Sequence, residues 1–237
     1  MSTSAPGAPW QRGELVASYL ERRDALVPLL ALQEDVVRRL LERYSHKVGR
    51  FLDLGAGDGG MSAVVFSVSA QAHGLLIDNS EPMLARVGER FAGKSFRWQT
   101  MRADLDDPAW LAAVPAGSFD LVISGLAIHH LHTSSKRRLY GQIHDLLAPR
   151  GLFVNMDYVA ISGPLRGLFD EEWEKGLDHE HGEEAAEDDD DHDHDQPDPV
   201  EDQLAWLREA GFTDIEIHFK WAEAAIFGGV RPEGASS

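Results

Sequence analysis

The chain has 237 residues, of which 43% are hydrophobic, and this length and composition predict one sizeable domain with a full core. It contains no cysteine, which excludes disulfides, iron–sulfur clusters and thiolate chemistry. No apolar run approaches the ~20 residues that cross a bilayer, and the first residues lack the basic and apolar regions of a signal peptide. We therefore expect a soluble, cytoplasmic protein with no membrane partner.

The net charge of −18 comes almost wholly from one segment. Between Asp170 and Asp202 the sequence has 18 acidic residues and a single basic one, Lys175, so the rest of the chain is nearly neutral. That remainder shows no basic stripe of the kind that neutralises nucleic-acid phosphates. We expect no nucleic-acid partner.

The predicted elements begin with two amphipathic helices. Apolar residues recur at three and four positions from Leu15 to Leu26 and from Val36 to Tyr44, with Pro28 separating or kinking the two patterns. From residue 49 short apolar runs alternate with amphipathic stretches, which is typical of βα units and a parallel sheet. Predicted strands cover residues 49–54, 74–78, 95–101, 119–124 and 152–157, and predicted helices cover residues 60–71, 81–91 and 136–147.

The regular pattern stops beyond residue 163. Residues 170–202 form an acidic, histidine-rich stretch of low complexity, which we interpret as an insertion. A helix in "VEDQLAWLREAGF" and a terminal strand pair in "TDIEIHFKW" and "EAAIFGG" follow. We expect residues 1–44 to form part of a substrate cap and residues 45–237 to form the main domain.

Four of the five strands predicted before residue 160 end on, or run into, a carboxylate: Asp53, Asp78, Asp104 and Asp157. In open α/β sheets ligands bind at the carboxyl ends of the strands, near the point where the strand order reverses. The repeated acids at this edge therefore indicate a ligand site.

The stretch "FLDLGAGDGG", residues 51–60, joins the first of these strands to a helix. Its glycines at 55, 57 and 60 fit the turn of dinucleotide-binding proteins, where backbone amides face a pyrophosphate. A carboxylate at Asp53 would oppose that pyrophosphate, although Asp53 is also suited to tying down the loop through backbone N–H groups. The acid favours a ligand without phosphate, and S-adenosylmethionine, with its ammonium and sulfonium groups, is such a ligand.

Two further acids suit the nucleoside part of that ligand. Asp78 is placed to accept from both ribose hydroxyls, a device that nicotinamide enzymes share. Asp104, in "MRADLDDP", is placed to accept from an adenine amino group with the Leu105 amide beside it. The alternative for Asp104 is a role in an ordinary polar turn.

Five elements in order resemble class I S-adenosylmethionine-dependent methyltransferases of the bacterial small-molecule type. They are "FLDLGAGDGG", "LLIDNSEPML", "RADL", "FDLVISGLAIHHL" and "LLAPRGLFVNMDYV". The resemblance implies a Rossmann-like, doubly wound, mostly parallel sheet of seven strands, with the last strand antiparallel and helices on both faces. It implies S-adenosylmethionine as cofactor and a set of cofactor-binding residues: Asp53, Gly55, Ala56, Gly57, Asp78, Asn79, Met83, Asp104, Leu105, Ser124, Gly125 and Leu126.

His129 and His130, in the loop after the fourth strand, are the candidate catalytic residues. Methyl transfer is an in-line displacement, so much of its acceleration comes from positioning. A base is needed only where the acceptor loses a proton, and a histidine suits that task near neutral pH. The alternative is that one of the two packs structurally under the loop.

The expected substrate lid combines residues from both ends of the chain: Tyr19, Arg23, Leu165, Phe169 and Trp173. Core packing, or a solvated face for the first helix, is the alternative. The tract at residues 179–195 offers oxygen and imidazole ligands for weak divalent-cation binding. Dense like charge is more often a solvated loop, so we predict no defined metal site.

The sequence thus predicts a transferase that moves a methyl group from S-adenosylmethionine to a small molecule. A second hypothesis keeps the fold without catalysis, as a cofactor-binding or divalent-metal-responsive protein that uses the acid and histidine tract. A third, a nicotinamide-dependent dehydrogenase, is disfavoured by Asp53 and by the lack of a recognisable proton-relay motif. The acceptor and its O, N or C atom stay open.

Overall fold

A computed structural model of the chain describes residues 9–44, 47–161 and 195–234. Within these ranges the chain forms six α-helices, seven strands and three short 3-10 turns. The 3-10 turns lie at Pro9–Gln11, Pro108–Ala113 and Ile128–His130. The helices are α1 (Gly13–Leu26), α2 (Leu30–Arg43), α3 (Gly60–Val68), α4 (Glu81–Arg90), α5 (Thr133–Leu146) and α6 (Val200–Glu209). The strands are β1 (Arg50–Leu54), β2 (His73–Asp78), β3 (Arg97–Arg102), β4 (Phe119–Gly125), β5 (Leu147–Tyr158), β6 (Thr213–Trp221) and β7 (Ala224–Val230).

The seven strands form one sheet in the order β3-β2-β1-β4-β5-β7-β6. Pairing is parallel from β3 to β5, and β7 runs antiparallel to both of its neighbours. The predicted seven-stranded, doubly wound sheet with an antiparallel last strand is confirmed. Strand order reverses between β1 and β4, so the carboxyl ends of these two strands are where a ligand site is expected.

Helices cover both faces of this sheet because successive strand residues point to opposite sides. On β1, Phe51 packs with the apolar side chains of α2, α3 and α4, whereas Leu52 and Leu54 pack with those of α5 and α6. On β4, Leu121 and Ile123 pack on the face covered by α2, α3 and α4, and Val122 packs on the face covered by α5 and α6. The parallel strands are therefore apolar on both faces, as their sequences indicate.

Helix boundaries follow local signals, with small departures from the predicted ranges. Ser80 caps α4 as expected, since its Oγ accepts from the Met83 N–H at 3.1 Å. Helix α5 begins three residues earlier than predicted and ends at Leu146, and β5 begins at Leu147 rather than residue 152. Pro149 accounts for the early end, because the residue before a proline disfavours the helical conformation.

The two N-terminal helices are separate, and Pro28 lies between them. Leu29 adopts a left-handed conformation, with φ of 56°, which turns the chain before α2. Among the residues that the structure describes, no helix has the length and apolar character needed to cross a membrane.

Candidate functional site

A cavity opens at the carboxyl ends of β1, β2 and β4, under the N-terminal helices α1 and α2. The structure brings ten of the twelve predicted cofactor-binding residues into its wall. They are Gly55, Ala56, Gly57, Asp78, Asn79, Met83, Asp104, Leu105, Gly125 and Leu126. The site thus lies at the point where the strand order reverses.

The glycine loop after β1 forms the floor of the cavity. Gly55 and Gly57 adopt left-handed conformations, with φ of 67° and 54°, which side chains rarely tolerate. A Cβ on Gly55 would lie 2.1 Å from the Cβ of Ala127, in the loop after β4. Glycine at 55 therefore lets two loops from neighbouring strands approach each other.

Asp78 holds the glycine loop against the end of β2. Its Oδ2 accepts from the Gly57 N–H at 2.8 Å, and its Oδ1 accepts from the Ser80 N–H at 2.7 Å. Burial raises the pKa of Asp78 despite these bonds. Each carboxylate oxygen has a second lone pair, so Asp78 is able to accept from a ligand while it keeps the loop in place.

Asp104 belongs both to the cavity wall and to a polar turn. Its Oδ1 accepts from the Asp106 N–H at 2.9 Å, while Asp104 and Leu105 line the cavity. The Ala103 N–H, just before them, donates to the Asp78 carbonyl at 3.0 Å. The two interpretations of this acid are therefore compatible.

The structure does not bring Asp53 or Ser124 into the cavity wall. Asp53 is fully buried, and its Oδ2 accepts from the Ser62 hydroxyl of α3 at 2.6 Å. Ser124 is equally buried and donates to the Leu54 carbonyl at 2.8 Å. Burial raises the pKa of Asp53 to about 7, and the nearby Asp78 adds to the shift. Asp53 thus supports the loop from behind and is partly protonated near neutral pH.

Asp58, inside the glycine loop, joins three parts of the protein. Its Oδ1 pairs with Arg23 of α1 at 3.2 Å, its Oδ2 pairs with Arg90 of α4, and its carbonyl accepts from Arg90 Nε at 2.9 Å. Its side chain is only 11% exposed, and both Asp58 and Arg23 line the cavity. The acid therefore fastens the first N-terminal helix to the loop, a role that sequence reasoning did not find.

The loop after β4 is built tightly. A Cβ on Gly125 would lie 2.4 Å from Met61 Cγ, and Leu126 is left-handed with φ of 54°. The Leu126 N–H donates to the Met156 carbonyl of β5 at 2.8 Å, which holds the strained residue in place. The backbone of this loop is thereby exposed to the cavity.

The two candidate catalytic histidines have different environments. His129 is buried, and its Nδ1 lies 2.5 Å from Asp157 Oδ1 while its backbone N–H donates to Asp157 Oδ2 at 3.0 Å. Burial lowers the pKa of His129, but the Asp157 and Asp195 carboxylates outweigh it and raise the value to about 9. His129 is not in the cavity wall.

His130 is in the wall, with its Nδ1 2.9 Å from Asp195 Oδ1. Burial lowers the pKa of His130, and the neighbouring His129 lowers it further. The two rings lie against each other with centroids 4.0 Å apart. Of the two histidines, His130 is therefore the one able to contact a molecule in the cavity.

Several hydrogen bonds hold residues 195–198 against the loop after β4 and against α5. The Gln196 N–H donates to the His129 carbonyl at 3.0 Å. Lys136 of α5, fully buried, donates to the Gln196 carbonyl and lies 2.7 Å from Asp198 Oδ2. Thr133 Oγ1 donates to Asp198 Oδ1 at 2.8 Å. These bonds position Asp195, which the low-complexity sequence around it concealed.

The N-terminal helices supply the outer wall. Tyr19 and Arg23 line the cavity as expected, joined by Trp10 and Glu34, which sequence reasoning missed. Trp10 packs edge-on against Tyr19 at 5.0 Å between centroids and lies 6.2 Å from the His130 ring. The other predicted lid residues, Leu165, Phe169 and Trp173, lie outside the described residues, as do the histidines of the acidic tract up to residue 194.

The cavity wall is acidic. Its described charged side chains are four carboxyl groups and one guanidinium, on Glu34, Asp58, Asp78, Asp104 and Arg23. Arg23 and Asp58 compensate each other, which leaves three carboxyl groups. Such a wall favours a cationic ligand and disfavours a phosphate-bearing one.

Residues 51–151 match a family model described as a methyltransferase domain. Among curated proteins, an uncharacterized methyltransferase of Mycobacterium tuberculosis is 30% identical over 111 residues, which are 47% of this chain and 51% of that protein. The chain spans about half the length of the curated relatives it matches.

Two solved structures show the same architecture. An O-methyltransferase family protein from Burkholderia thailandensis matches with a TM-score of 0.65 at 15% identity, over 95% of this chain and 64% of that one. Phosphoethanolamine N-methyltransferase 2 of Haemonchus contortus, solved with S-adenosyl-L-methionine, matches with a TM-score of 0.66 at 17% identity, over 96% of this chain and 59% of that one. At these identities the likeness concerns the fold.

The buried acid Asp53 generates a prediction about stability. Its folded-state pKa of about 7 lies above the ordinary value of 3.8, so the folded state holds this proton where the unfolded state has lost it. The contribution of protonated Asp53 to the unfolding free energy is therefore complete below about pH 4 and is lost as the pH rises through 7. We expect Asp53→Asn to remove this pH dependence and to exceed the natural chain in unfolding free energy at pH 8 by on the order of 2–4 kcal/mol.

Urea denaturation from pH 4 to 8 measures this difference. Asp202→Asn, which alters an exposed carboxylate on α6, is the control and should run parallel to the natural chain. A constant difference between the natural chain and Asp53→Asn at all pH values would contradict the prediction.

Proposed function

We propose that this chain is a class I S-adenosylmethionine-dependent methyltransferase that transfers a methyl group from this cofactor to a small molecule, and the match of residues 51–151 to a methyltransferase-domain model supports the proposal. The observation that carries the proposal is the acidic cavity built on the glycine loop. It has carboxylates placed for a nucleoside and, in the described wall, no cation free to hold a pyrophosphate.

The residues present fit the nucleoside part of the cofactor. Asp78 retains acceptor capacity on both oxygens for the ribose hydroxyls, although each already accepts one backbone N–H. Asp104 keeps Oδ2 for the adenine amino group, since Oδ1 accepts from Asp106. The left-handed glycines at 55 and 57 leave the loop backbone open to the ligand.

The charge of the wall fits the amino-acid part. The cofactor has an ammonium and a sulfonium cation, which complement the excess of carboxyl groups in the wall. A nicotinamide dinucleotide would bring its pyrophosphate into a cavity whose described wall has more carboxyl groups than cations. This excess disfavours the dehydrogenase hypothesis, whereas Asp53, buried behind the loop, does not face the ligand.

S-adenosylmethionine, when bound, supplies an electrophilic methyl group attached to a sulfonium sulfur. The chain's own contribution is to hold donor and acceptor in line and to exclude water. Trp10 and Tyr19 cover the open side of the cavity, and the Arg23 to Asp58 ion pair keeps α1 in place over the loop. The N-terminal helices therefore act as part of the substrate cap.

We place the acceptor at the His130 end of the cavity. His130 and Trp10 lie near each other there, so a small, partly apolar acceptor would meet an aromatic surface and an imidazole. His129 is turned away, held between Asp157 and Asp195, and orients the loop instead of touching the acceptor. O-, N- and C-methylation all agree with this arrangement.

Cofactor binding tests the role of Asp78. We expect Asp78→Ala to weaken S-adenosylmethionine binding by at least about 100-fold in calorimetry, because it removes a buried charged acceptor worth roughly 3 kcal/mol. Asp120 is a matched control, since its Oδ2 also accepts two backbone N–H groups, from Gly49 and Arg50, at the amino end of β1. Equal losses in Asp78→Ala and Asp120→Ala would show that Asp78 serves the fold alone.

The cap generates a second prediction. We expect Arg23→Ala to weaken S-adenosylmethionine binding by about tenfold, or ~1.4 kcal/mol, because α1 loses its link to the glycine loop. Arg22→Ala changes the preceding residue of the same helix and should bind like the natural chain. If both variants bind with unchanged affinity, the ion pair with Asp58 does not hold the cap.

The proposed reaction is tested without assuming an acceptor. The purified chain is incubated with a metabolite extract and methyl-labelled S-adenosylmethionine, and mass spectrometry searches for small molecules that gain one labelled methyl group. We expect such a product with the natural chain and none with Asp78→Ala. Cofactor binding without any methylated product would instead favour the non-catalytic hypothesis.

A further inference from the structure

Three side chains next to the cavity direct metal-ligating atoms at one another. His129 Nε2 lies 3.4 Å from Asp195 Oδ1, and His130 Nδ1 lies 2.9 Å from the same oxygen. All three atoms lie within 4.8 Å of one another. Among the described residues this is a cluster of two imidazoles and one carboxylate, a ligand set typical of first-row transition metals.

The distances between the ligating atoms of His129, His130 and Asp195 suit a metal ion bound between them. Zinc and similar ions bind nitrogen and oxygen at about 2.0–2.2 Å. Two ligands that subtend about 90–110° at such an ion are then roughly 2.9–3.5 Å apart. The measured 2.9 and 3.4 Å lie within this range, so small shifts of the three side chains would admit an ion.

His129 is already oriented as a ligand. Asp157 is an acceptor, so its oxygen 2.5 Å away assigns a ring proton to Nδ1, and a metal ion would displace the second ring proton from Nε2, the atom that faces Asp195. A carboxylate behind a histidine is the usual support of a metal-bound imidazole. The Asp157 contact to the His129 backbone N–H, at 3.0 Å, fixes the ring further.

The third ligand is held independently of any ion. The Gln196 N–H bond to the His129 carbonyl and the Lys136 contact with Asp198 fix the chain on the C-terminal side of Asp195. Lys136 is engaged with the Gln196 carbonyl and the Asp198 carboxylate. Two largely buried carboxylates, Asp157 and Asp195, lie beside the two histidine rings, and a bound divalent cation would replace the charge balance that the His129 proton provides.

We propose that His129, His130 and Asp195 bind a divalent first-row transition-metal ion at the edge of the cavity. Imidazole ligands favour zinc, copper, iron, cobalt or nickel over magnesium, calcium and manganese, which prefer oxygen. His130 is also a wall residue, so the ion lies beside the acceptor end of the site. With an ion on Nδ1, His130 serves as a ligand and does not accept a proton at that atom.

Cobalt(II) is the probe for this site, because its visible absorption reports nitrogen and oxygen coordination. The full chain is freed of metal with a chelator and titrated without S-adenosylmethionine, so the result does not depend on the methyltransferase activity. We expect saturable absorption bands in the natural chain. His130→Gln and Asp195→Asn should each lose the bands or weaken the affinity at least about tenfold.

Two controls match these variants in chemistry. His73→Gln changes an exposed residue and Asp106→Asn a half-buried one, both outside the cluster, and both variants should keep the bands. A fourfold variant, with His179, His181, His192 and His194 all changed to glutamine, should also keep them. If the fourfold variant loses the bands while His130→Gln and Asp195→Asn retain them, the ion binds in the acidic tract and the proposal is overturned.

A variant that fails to fold would also lose the cobalt bands, so a second measurement uses the natural chain. Copper(II), a paramagnetic ion that suits imidazole ligands, is added in substoichiometric amounts, and the histidine ring signals are followed by nitrogen-correlated NMR. The ring signals of His129 and His130 are assigned from their loss in His129→Gln and His130→Gln. We expect these two signals to broaden first. Earlier broadening of other histidines would place the ion elsewhere and overturn the proposal.

Discussion

The carboxylate of Asp78 is the constraint on which the site depends. It joins the Gly57 N–H of the glycine loop to the Ser80 N–H at the start of α4, so one side chain sets the distance between the β1 and β2 ends. Ser80 in turn caps α4, and Met83 at the first turn of that helix reaches the cavity. Because burial opposes the charge of Asp78, a cationic ligand in the cavity would relieve an electrostatic cost that the fold already bears.

The acids around this carboxylate are stabilised in three different ways. Asp58 is neutralised by Arg23 and Arg90, which also connects α1 and α4 to the loop. Burial raises the pKa of Asp53 to about 7, so Asp53 partly retains its proton near neutral pH. Asp104 lies nearer the surface in a turn. The same residue type therefore serves as a link between elements, as a buried support and as part of the cavity wall, and only neighbours from other elements decide which.

This division explains how far the sequence can predict the molecule. Apolar runs and the Ser80 cap are local signals that predict individual strands and α4, whereas the resemblance to methyltransferases implies the seven-stranded sheet and ten of the residues in the cavity wall. Asp53 was expected at the ligand because its position next to the glycines says nothing of Ser62, which reaches it only after α3 docks. Asp195 could not be singled out in an acidic run, since its role depends on Lys136, about sixty positions away, and on the loop that carries His129.

Those bonds connect the acidic segment to the loop after β4. Gln196 pairs with the His129 carbonyl and with His132 Nδ1 at 2.6 Å, so the chain leaving the segment is bonded at two points to the loop that carries His130. Lys136 is completely buried and has Asp198 as its ionic partner, so release of residues 195–198 from the loop would leave an unpaired buried cation. The position of Asp195 is thus coupled to the packing of α5 and not to the composition of the segment before it. A change at the His130 end of the cavity therefore acts on His130 and Asp195 together.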